Sequence, residues 1–212
     1  MRQIKTVLLA LVLAVVPALM GLRSASAEPI TLVTLGDSLT AGYGLGTGEG
    51  FAPRLEQALK GRGHDVKVID AGVSGDTASG GLSRLDWAVP DGTRAVIVEL
   101  GANDALRGID PRVTEQALDQ ILSRLAARNI AVLLAGMMAP PNMGDDYARS
   151  FNEIYPRLAE KHGAVLYPFF LDGVAGNPAL NLPDGMHPTA AGIDVIVERI
   201  LPSVEQLLAK VR

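Results

Sequence analysis

Residues 30–39, ITLVTLGDSL, decide the fold, because residues 30–35 form a short apolar run that ends at Gly36. A glycine-rich stretch follows as far as Gly50. Over residues 51–60, apolar side chains then recur with the spacing of a helix. The order is therefore strand, loop and helix.

The same alternation of apolar strands and helices continues along the chain. Further strands are predicted at 66–69, 95–100, 130–134 and 165–167, and further helices at 79–88, 113–128, 147–162 and 190–210. The last helix contains Pro202, where we expect a kink. Continuous apolar strands separated by helices predict an α/β domain with a central parallel sheet of about five strands, buried on both faces.

The first 27 residues are predicted to be a cleaved signal peptide. Arg2 and Lys5 precede an uncharged apolar run over residues 7–20, and Ala25-Ser26-Ala27 provides a cleavage site of small residues. An uncleaved membrane anchor is the alternative, but the run is shorter than the roughly 20 residues that span a bilayer. We therefore expect a mature domain of residues 28–212, periplasmic or secreted, without stable membrane insertion.

Composition narrows the classes of function. The chain has 212 residues, of which 48% are hydrophobic and none is cysteine, so a disulfide scaffold and a cysteine nucleophile are excluded. Acidic residues outnumber basic ones by 23 to 19, which argues against nucleic acid as a partner. The three scattered histidines predict no metal site, and no dinucleotide or P-loop pattern is present. We expect a monomer that acts on small molecules without a cofactor.

Ser38 is the first candidate for chemistry. Ligands of parallel α/β sheets bind outside the carboxyl ends of the strands, and Ser38 follows the first predicted strand at its junction with a helix. Exposed nucleophiles are often found at such a junction. Taken alone, a serine there more often caps a helix, so that alternative stays open.

Asp184 and His187 lie three residues apart in a loop before the last predicted helix. One turn would bring the carboxylate to one imidazole nitrogen and leave the other nitrogen facing a serine. A surface turn is the alternative for this pair. His64 and His162 lie beside glycines near predicted helix ends, and we assign them no role.

Two further loops offer hydrogen-bond donors. Gly75 follows the second predicted strand and Asn103 the third. Together with the Ser38 N–H, the Gly75 N–H and the Asn103 amide are the donors that a developing oxyanion requires. Each loop alone could be an ordinary turn. Several such segments, all after strands or near the chain end, favour a catalytic site.

These segments resemble the conserved blocks of the GDSL or SGNH hydrolases, which are named after a Ser, a Gly, an Asn and a His. Ser38, Gly75, Asn103 and His187 match those four residues in order. The resemblance runs through the mature chain. Within this family, the sequence is most similar to a bacterial periplasmic branch with acyl-CoA thioesterase, arylesterase and lysophospholipase activities.

The resemblance implies a fold, an activity and a site. The implied fold is a flavodoxin-like three-layer α/β/α sandwich. The implied activity is hydrolysis of acyl esters and thioesters, with Ser38, Asp184 and His187 as the catalytic triad. Ser38, Gly75 and Asn103 would form the oxyanion hole, and no metal or other cofactor would take part.

The acyl chain of a substrate is expected to lie beside a methionine-rich loop that follows the fourth predicted strand. Met137, Met138 and Met143, with the nearby Leu106, are the candidate groove residues. The alternative is that these methionines only cover the end of the sheet.

The same residues leave two alternative functions. A carbohydrate O-acetylesterase of the same family would use the same triad on a smaller acyl group. A non-catalytic binding module on the same fold is disfavoured because Ser38, Asp184 and His187 are all present.

Overall fold

The protein is described by a computed structural model that covers residues 28–211, and the predicted signal peptide lies outside these described residues. Within this range the strands are β1 (Ile30–Gly36), β2 (Val66–Gly72), β3 (Ala95–Glu99), β4 (Ala131–Ala135) and β5 (Val165–Tyr167). The first four helices are α1 (Ser38–Ala41), α2 (Phe51–Gly61), α3 (Ala78–Ala88) and α4 (Ala102–Leu106). The others are α5 (Pro111–Ala127), α6 (Asp145–Asn152), α7 (Ile154–His162) and α8 (Ala190–Ala209), with one 3-10 turn at Pro141–Met143.

The strands form one parallel sheet in the order β2-β1-β3-β4-β5, which is the flavodoxin-like order. Helix α2 packs against α8 on one face of the sheet, while α3, α5 and α7 pack in sequence on the other. The predicted α/β fold with its three-layer sandwich is therefore confirmed.

The core follows from the apolar pattern of the strands and helices. Every residue of β3 is buried. On α5, the buried side chains Leu118, Ile121, Leu122 and Leu125 recur at helical spacing and form one apolar face. The start of α5 is fixed by Asp110, whose side chain accepts the Arg112 N–H.

The sequence predicted one helix over 147–162, and this prediction is wrong. The structure has α6 and α7 instead, separated at Glu153. Pro156 is the third residue of α7. A proline has no N–H to donate and its ring clashes with the carbonyl four residues earlier, so it fits a first helical turn but kinks or breaks a helix when it lies in the interior.

The ends of other elements also differ from the prediction. Strand β2 continues past residue 69 to Gly72, through the polar Asp70 that ended the apolar pattern. Helix α8 runs on past Pro202 to Ala209, and the kink stays a prediction. None of the helices within residues 28–211 has the length and apolarity needed to cross a membrane.

Candidate active site

The nucleophile candidate Ser38 lies at the carboxyl edge of the sheet, at the first position of α1. Strand β1 ends at Gly36, and Asp37 caps the helix by accepting the Leu39 N–H at 2.9 Å. The helix is a single turn, because Gly42 ends it in the left-handed conformation with a φ of 72°. This tight turn keeps the Ser38 side chain at the edge of a cavity instead of inside the core.

His187 and Asp184 come from the loop before α8, far from Ser38 in sequence. His187 Nε2 lies 2.9 Å from Ser38 Oγ, and His187 Nδ1 lies 2.7 Å from Asp184 Oδ2. Since an ionised carboxylate only accepts hydrogen bonds, Nδ1 is the protonated nitrogen and Nε2 accepts the serine hydroxyl. The three side chains therefore form a continuous hydrogen-bonded chain.

Asp184 is held in its ionised form by backbone donors. Its Oδ1 accepts the His187 N–H at 3.0 Å and the Met186 N–H at 2.9 Å. These two bonds, with the side-chain bond to His187, lower the pKa of Asp184 to about 2. The carboxylate is thus charged at any pH at which an imidazole can act as a base.

The three expected oxyanion donors differ in their surroundings. Among the hydrogen bonds of residues 28–211, none is donated by the backbone N–H of Ser38 or of Gly75 to another protein atom. The Gly75 carbonyl accepts from Arg107 at 2.8 Å, which holds its loop in place. Neither backbone N–H is therefore committed to another atom of these residues, and Ser38 lines the cavity whereas Gly75 is not among its lining residues.

Asn103 is already engaged. Its Nδ2 donates to Asp37 Oδ2 at 3.1 Å and to the Asp76 carbonyl at 2.9 Å. An amide nitrogen has two hydrogens, and both are used here. An oxyanion can receive an N–H from Asn103 only if one of these two bonds is shared or replaced. The side chain nevertheless lines the same cavity as Ser38.

Two buried acids, Asp37 and Glu99, lie close to Ser38, and the sequence analysis missed their importance. Glu99 Oε2 accepts from the Thr40 hydroxyl at 2.9 Å and from the Asp37 N–H at 3.4 Å. Within the described residues, the buried Glu99 Oε1 has no hydrogen-bond partner. The sequence feature that could have revealed Glu99 is its position, an acidic residue at the end of an otherwise apolar strand.

Burial is the main electrostatic influence on this pair. Desolvation, followed by the nearby charge of Asp37, raises the pKa of Glu99 well above its usual range. Desolvation also raises the pKa of Asp37 to about 6, although the bonds from Leu39 and Asn103 oppose it. Burial thus favours the protonated form of both carboxyls, most strongly for Glu99, and the two titrate as a coupled pair.

A cavity of about 520 Å³ opens beside Ser38 and His187. Three expected groove residues line it, namely Leu106, Met137 and Met138. Phe169, Leu171 and Met186 also line it, although the sequence analysis did not name them as groove residues. The walls are thus largely apolar and close to the proposed reacting atoms.

Met143 does not line this cavity, contrary to the sequence-based expectation. It lies in the 3-10 turn, where its methyl group would be 3.4 Å from a Cβ placed on Gly108. The turn that begins at Pro141 directs this side chain toward the α4 to α5 connection. Membership of one loop did not imply a common direction for its three methionines.

The other histidines lie in ion-pair positions away from this cavity. His64 Nε2 is 3.1 Å from Glu205, and His162 Nε2 is 2.6 Å from Asp119. Residues 28–211 contain no group of three or more His, Asp or Glu side chains arranged to hold a metal ion.

Comparison with known proteins gives consistent results. Residues 34–195 match the model of the GDSL-like lipase/acylhydrolase family. Esterase TesA of Pseudomonas aeruginosa is 38% identical over 179 residues, which cover 84% of this chain and 89% of that protein. The Escherichia coli protein named thioesterase 1/protease 1/lysophospholipase L1 is 37% identical over 191 residues, covering 90% of this chain and 89% of its own length.

A solved structure adds agreement in three dimensions. The crystal structure of AlinE4, described as an SGNH-hydrolase family esterase, has a TM-score of 0.72 and 47% identity to this chain. It covers 85% of this chain and 97% of its own.

Proposed function

The chain belongs to the GDSL-like lipase/acylhydrolase family and is an ester hydrolase, and on this premise we propose that it cleaves acyl esters and thioesters with Ser38 as the nucleophile. His187 serves as general base and acid, and Asp184 orients the imidazole. The observation that carries this proposal is the hydrogen-bonded chain from Ser38 Oγ through His187 to Asp184, with distances of 2.9 Å and 2.7 Å.

The geometry supports a two-step acyl transfer. Ser38 Oγ attacks the substrate carbonyl carbon while its proton passes to His187 Nε2. The resulting imidazolium is stabilised by the ionised Asp184 and returns the proton to the departing alcohol or thiol. A water molecule then attacks the acyl-enzyme by the same route, and the free carboxylic acid leaves with Ser38 restored.

The tetrahedral oxyanion would be held by the backbone N–H groups of Ser38 and Gly75 and by Asn103. The two backbone groups carry no competing bond within residues 28–211. Asn103 would contribute by shifting one of its two present bonds toward the substrate oxygen. Donors of this kind act mainly in the transition state, where the negative charge develops.

The cavity supports acyl groups longer than acetyl as substrates. Its volume of about 520 Å³ and its apolar walls suit a flexible hydrocarbon chain. We include aryl esters, acyl-CoA and lysophospholipids in the proposed range. The Escherichia coli relative has a name that includes thioesterase and lysophospholipase. If the protein were a carbohydrate O-acetylesterase, these apolar walls would contact a polar sugar, which they suit less well than a hydrocarbon chain.

Replacement of the nucleophile tests the proposal directly. We expect Ser38→Ala to lower kcat on an aryl ester by about 10⁴-fold or more. The matched control is Ser83→Ala, which alters an exposed serine on α3 whose hydroxyl donates to the Gly80 carbonyl. A serine-directed phosphonate should label the wild type once, on the peptide that contains Ser38, as mass spectrometry would show.

Undiminished turnover by Ser38→Ala, or a phosphonate adduct on another residue, would exclude Ser38 as the nucleophile. A panel of acetylated sugars, short and medium acyl esters and lysophospholipid completes the test. A clear preference for the acetylated sugars would replace the acyl esterase function with the O-acetylesterase function.

A further inference from the structure

The aromatic ring of Tyr43 lies against the imidazole of His187. The two ring centroids are 4.5 Å apart and the ring planes are inclined by 38°. Tyr43 is 53% exposed and does not belong to the buried core. Its position therefore contributes little to the stability of the fold, and the contact with His187 is its most specific interaction.

The backbone places Tyr43 at this position. Gly42 turns the chain in the left-handed conformation, and the Tyr43 N–H then donates to the Ser38 carbonyl at 3.1 Å. Tyr43 is thus tied directly to the nucleophile candidate. The turn that presents Ser38 and the turn that presents the aromatic ring are one structural unit.

The next residue brings this unit against the histidine segment. A Cβ on Gly44 would lie 2.7 Å from Leu182 Cδ1, so the two segments are in close contact. The Leu182 N–H donates to the His187 carbonyl at 2.7 Å. The loop that carries Ser38 and the loop that carries His187 therefore meet at Tyr43, Gly44 and Leu182.

The polar and charged groups around the His187 imidazole contact its nitrogens, whereas the Tyr43 ring contacts its face. Asp184 contacts Nδ1 from the loop before α8, and Ser38 contacts Nε2 from α1. Asp37, at the N-cap of α1, also interacts electrostatically with His187. Tyr43 instead packs its aromatic ring against the imidazole ring of His187. An aromatic face attracts a cation that lies within about 6 Å of the ring centroid, so a positive charge that forms on His187 would be stabilised by the Tyr43 ring.

We propose that Tyr43 is a positioning residue that keeps Nε2 of His187 directed at Ser38 and stabilises the imidazolium formed during acyl transfer. The inference rests on the proposed function, because it assigns His187 the role of base. It adds a residue that neither the hydrogen-bonded triad nor the oxyanion donors include.

Two substitutions separate the aromatic face from simple bulk. Tyr43→Phe keeps the ring and removes the hydroxyl, whereas Tyr43→Leu covers the imidazole without an aromatic face. On a short neutral aryl ester, we expect the Phe variant to match the wild type. The Leu variant should lose about two- to fivefold in kcat with little change in KM, the factor that corresponds to about 0.5–1 kcal/mol.

The pH profile gives a second readout that a purely structural role would not move. Without the aromatic face the imidazolium is less stable, so the midpoint of the rising limb of kcat/KM should move to lower pH by about half a pH unit in the Leu variant. The Phe variant should keep the wild-type midpoint. Trp87→Ala is the control, because Trp87 is an exposed aromatic residue on α3 outside the cavity.

Wild-type kcat and an unchanged midpoint in Tyr43→Leu would overturn the inference, and so would an equal loss in Tyr43→Phe, which would assign the effect to the hydroxyl. Ser38→Ala, measured beside them, distinguishes the two failures. If Ser38→Ala is inactive while the Leu variant behaves as wild type, only the role of Tyr43 fails. If Ser38→Ala keeps its activity, the proposed function fails with it.

Discussion

Asn103 shows how a single side chain can connect the parts of the site. Its amide bonds the cap of α1 through Asp37 and the loop after β2 through the Asp76 carbonyl. The same amide is a proposed oxyanion donor. One residue thus joins the end of β1, the loop after β2 and the helix α4 around the position that a substrate carbonyl would occupy.

We expect Asn103→Ala to lower kcat by about 10²–10³ with little change in KM, because an oxyanion bond strengthens mainly in the transition state. Initial rates on an aryl ester would measure both constants. Thermal unfolding should be followed in parallel, since the variant also loses two structural bonds. A change confined to KM would assign Asn103 to substrate positioning instead.

At the scale of elements, the sheet could be predicted because burial on both faces makes each strand a continuous apolar run. β1, β3 and β4 satisfy this condition almost fully. The end of β2 does not, so its last residues were missed. A break or kink within the predicted helix over 147–162 was in principle predictable from Pro156, because an interior proline kinks or breaks a helix.

The candidate site was predictable only in part. Ser38, Asp184 and His187 could be named because each belongs to a short local pattern, and the structure brings them within hydrogen-bond distance. The ring contact of Tyr43 joins segments that are far apart in sequence, and no local pattern announces it. The direction of Met143 depends on a 3-10 turn too short to have a periodicity.

The loop after β4 provides a prediction with a built-in control. Met138 is 50% exposed and lines the cavity, whereas Met143 belongs to the same loop but does not line it. Each methylene buried is worth about 0.8 kcal/mol, so each added acyl carbon that fits should raise kcat/KM by up to about fourfold. Aryl esters of increasing chain length would give this profile.

We expect Met138→Ala to shift the optimal chain length while acetyl-ester hydrolysis continues. Met143→Ala should leave the profile as in the wild type. Met137 is a poor choice for this test, because it is 4% exposed and its truncation would cost about 2–5 kcal/mol of stability. Identical profiles in the wild type and the Met138 variant would show that this wall does not contact the acyl chain.

At the scale of the whole molecule, the buried acids Asp37 and Glu99 make the stability of the fold depend on pH. Both lie at the edge of the sheet that carries Ser38, the active edge. Asp37 and Glu99 both have folded-state pKa values above the values of 3.8 and 4.5 that they would have when exposed. As pH rises above about 4, the folded state therefore holds more protons than the unfolded state. The contribution of Asp37 to stability is therefore lost as pH rises through its folded-state pKa of about 6. Glu99, whose pKa is also raised, acts in the same direction.

Glu99→Gln tests this linkage because glutamine resembles a protonated glutamate but cannot ionise. Its side-chain oxygen can still accept from Thr40. The quantity of interest is the unfolding free energy of the variant minus that of the wild type. We expect this difference to be more favourable to the variant at pH 8 than at pH 5 by about 1 kcal/mol or more, because one unit of pKa difference is worth about 1.4 kcal/mol. Urea denaturation at the two pH values measures this change.

Glu160→Gln, which alters an exposed glutamate on α7, is the matched control and should show the same small difference from the wild type at both pH values. If Glu99→Gln instead destabilised the protein equally at pH 5 and pH 8, the cost would come from altered packing and not from charge. A gain limited to high pH would show that the carboxyl close to Ser38 is held protonated by the fold. The active edge would then carry a cost in stability that rises with pH, because the turn that presents Ser38 lies beside an acid that cannot ionise freely.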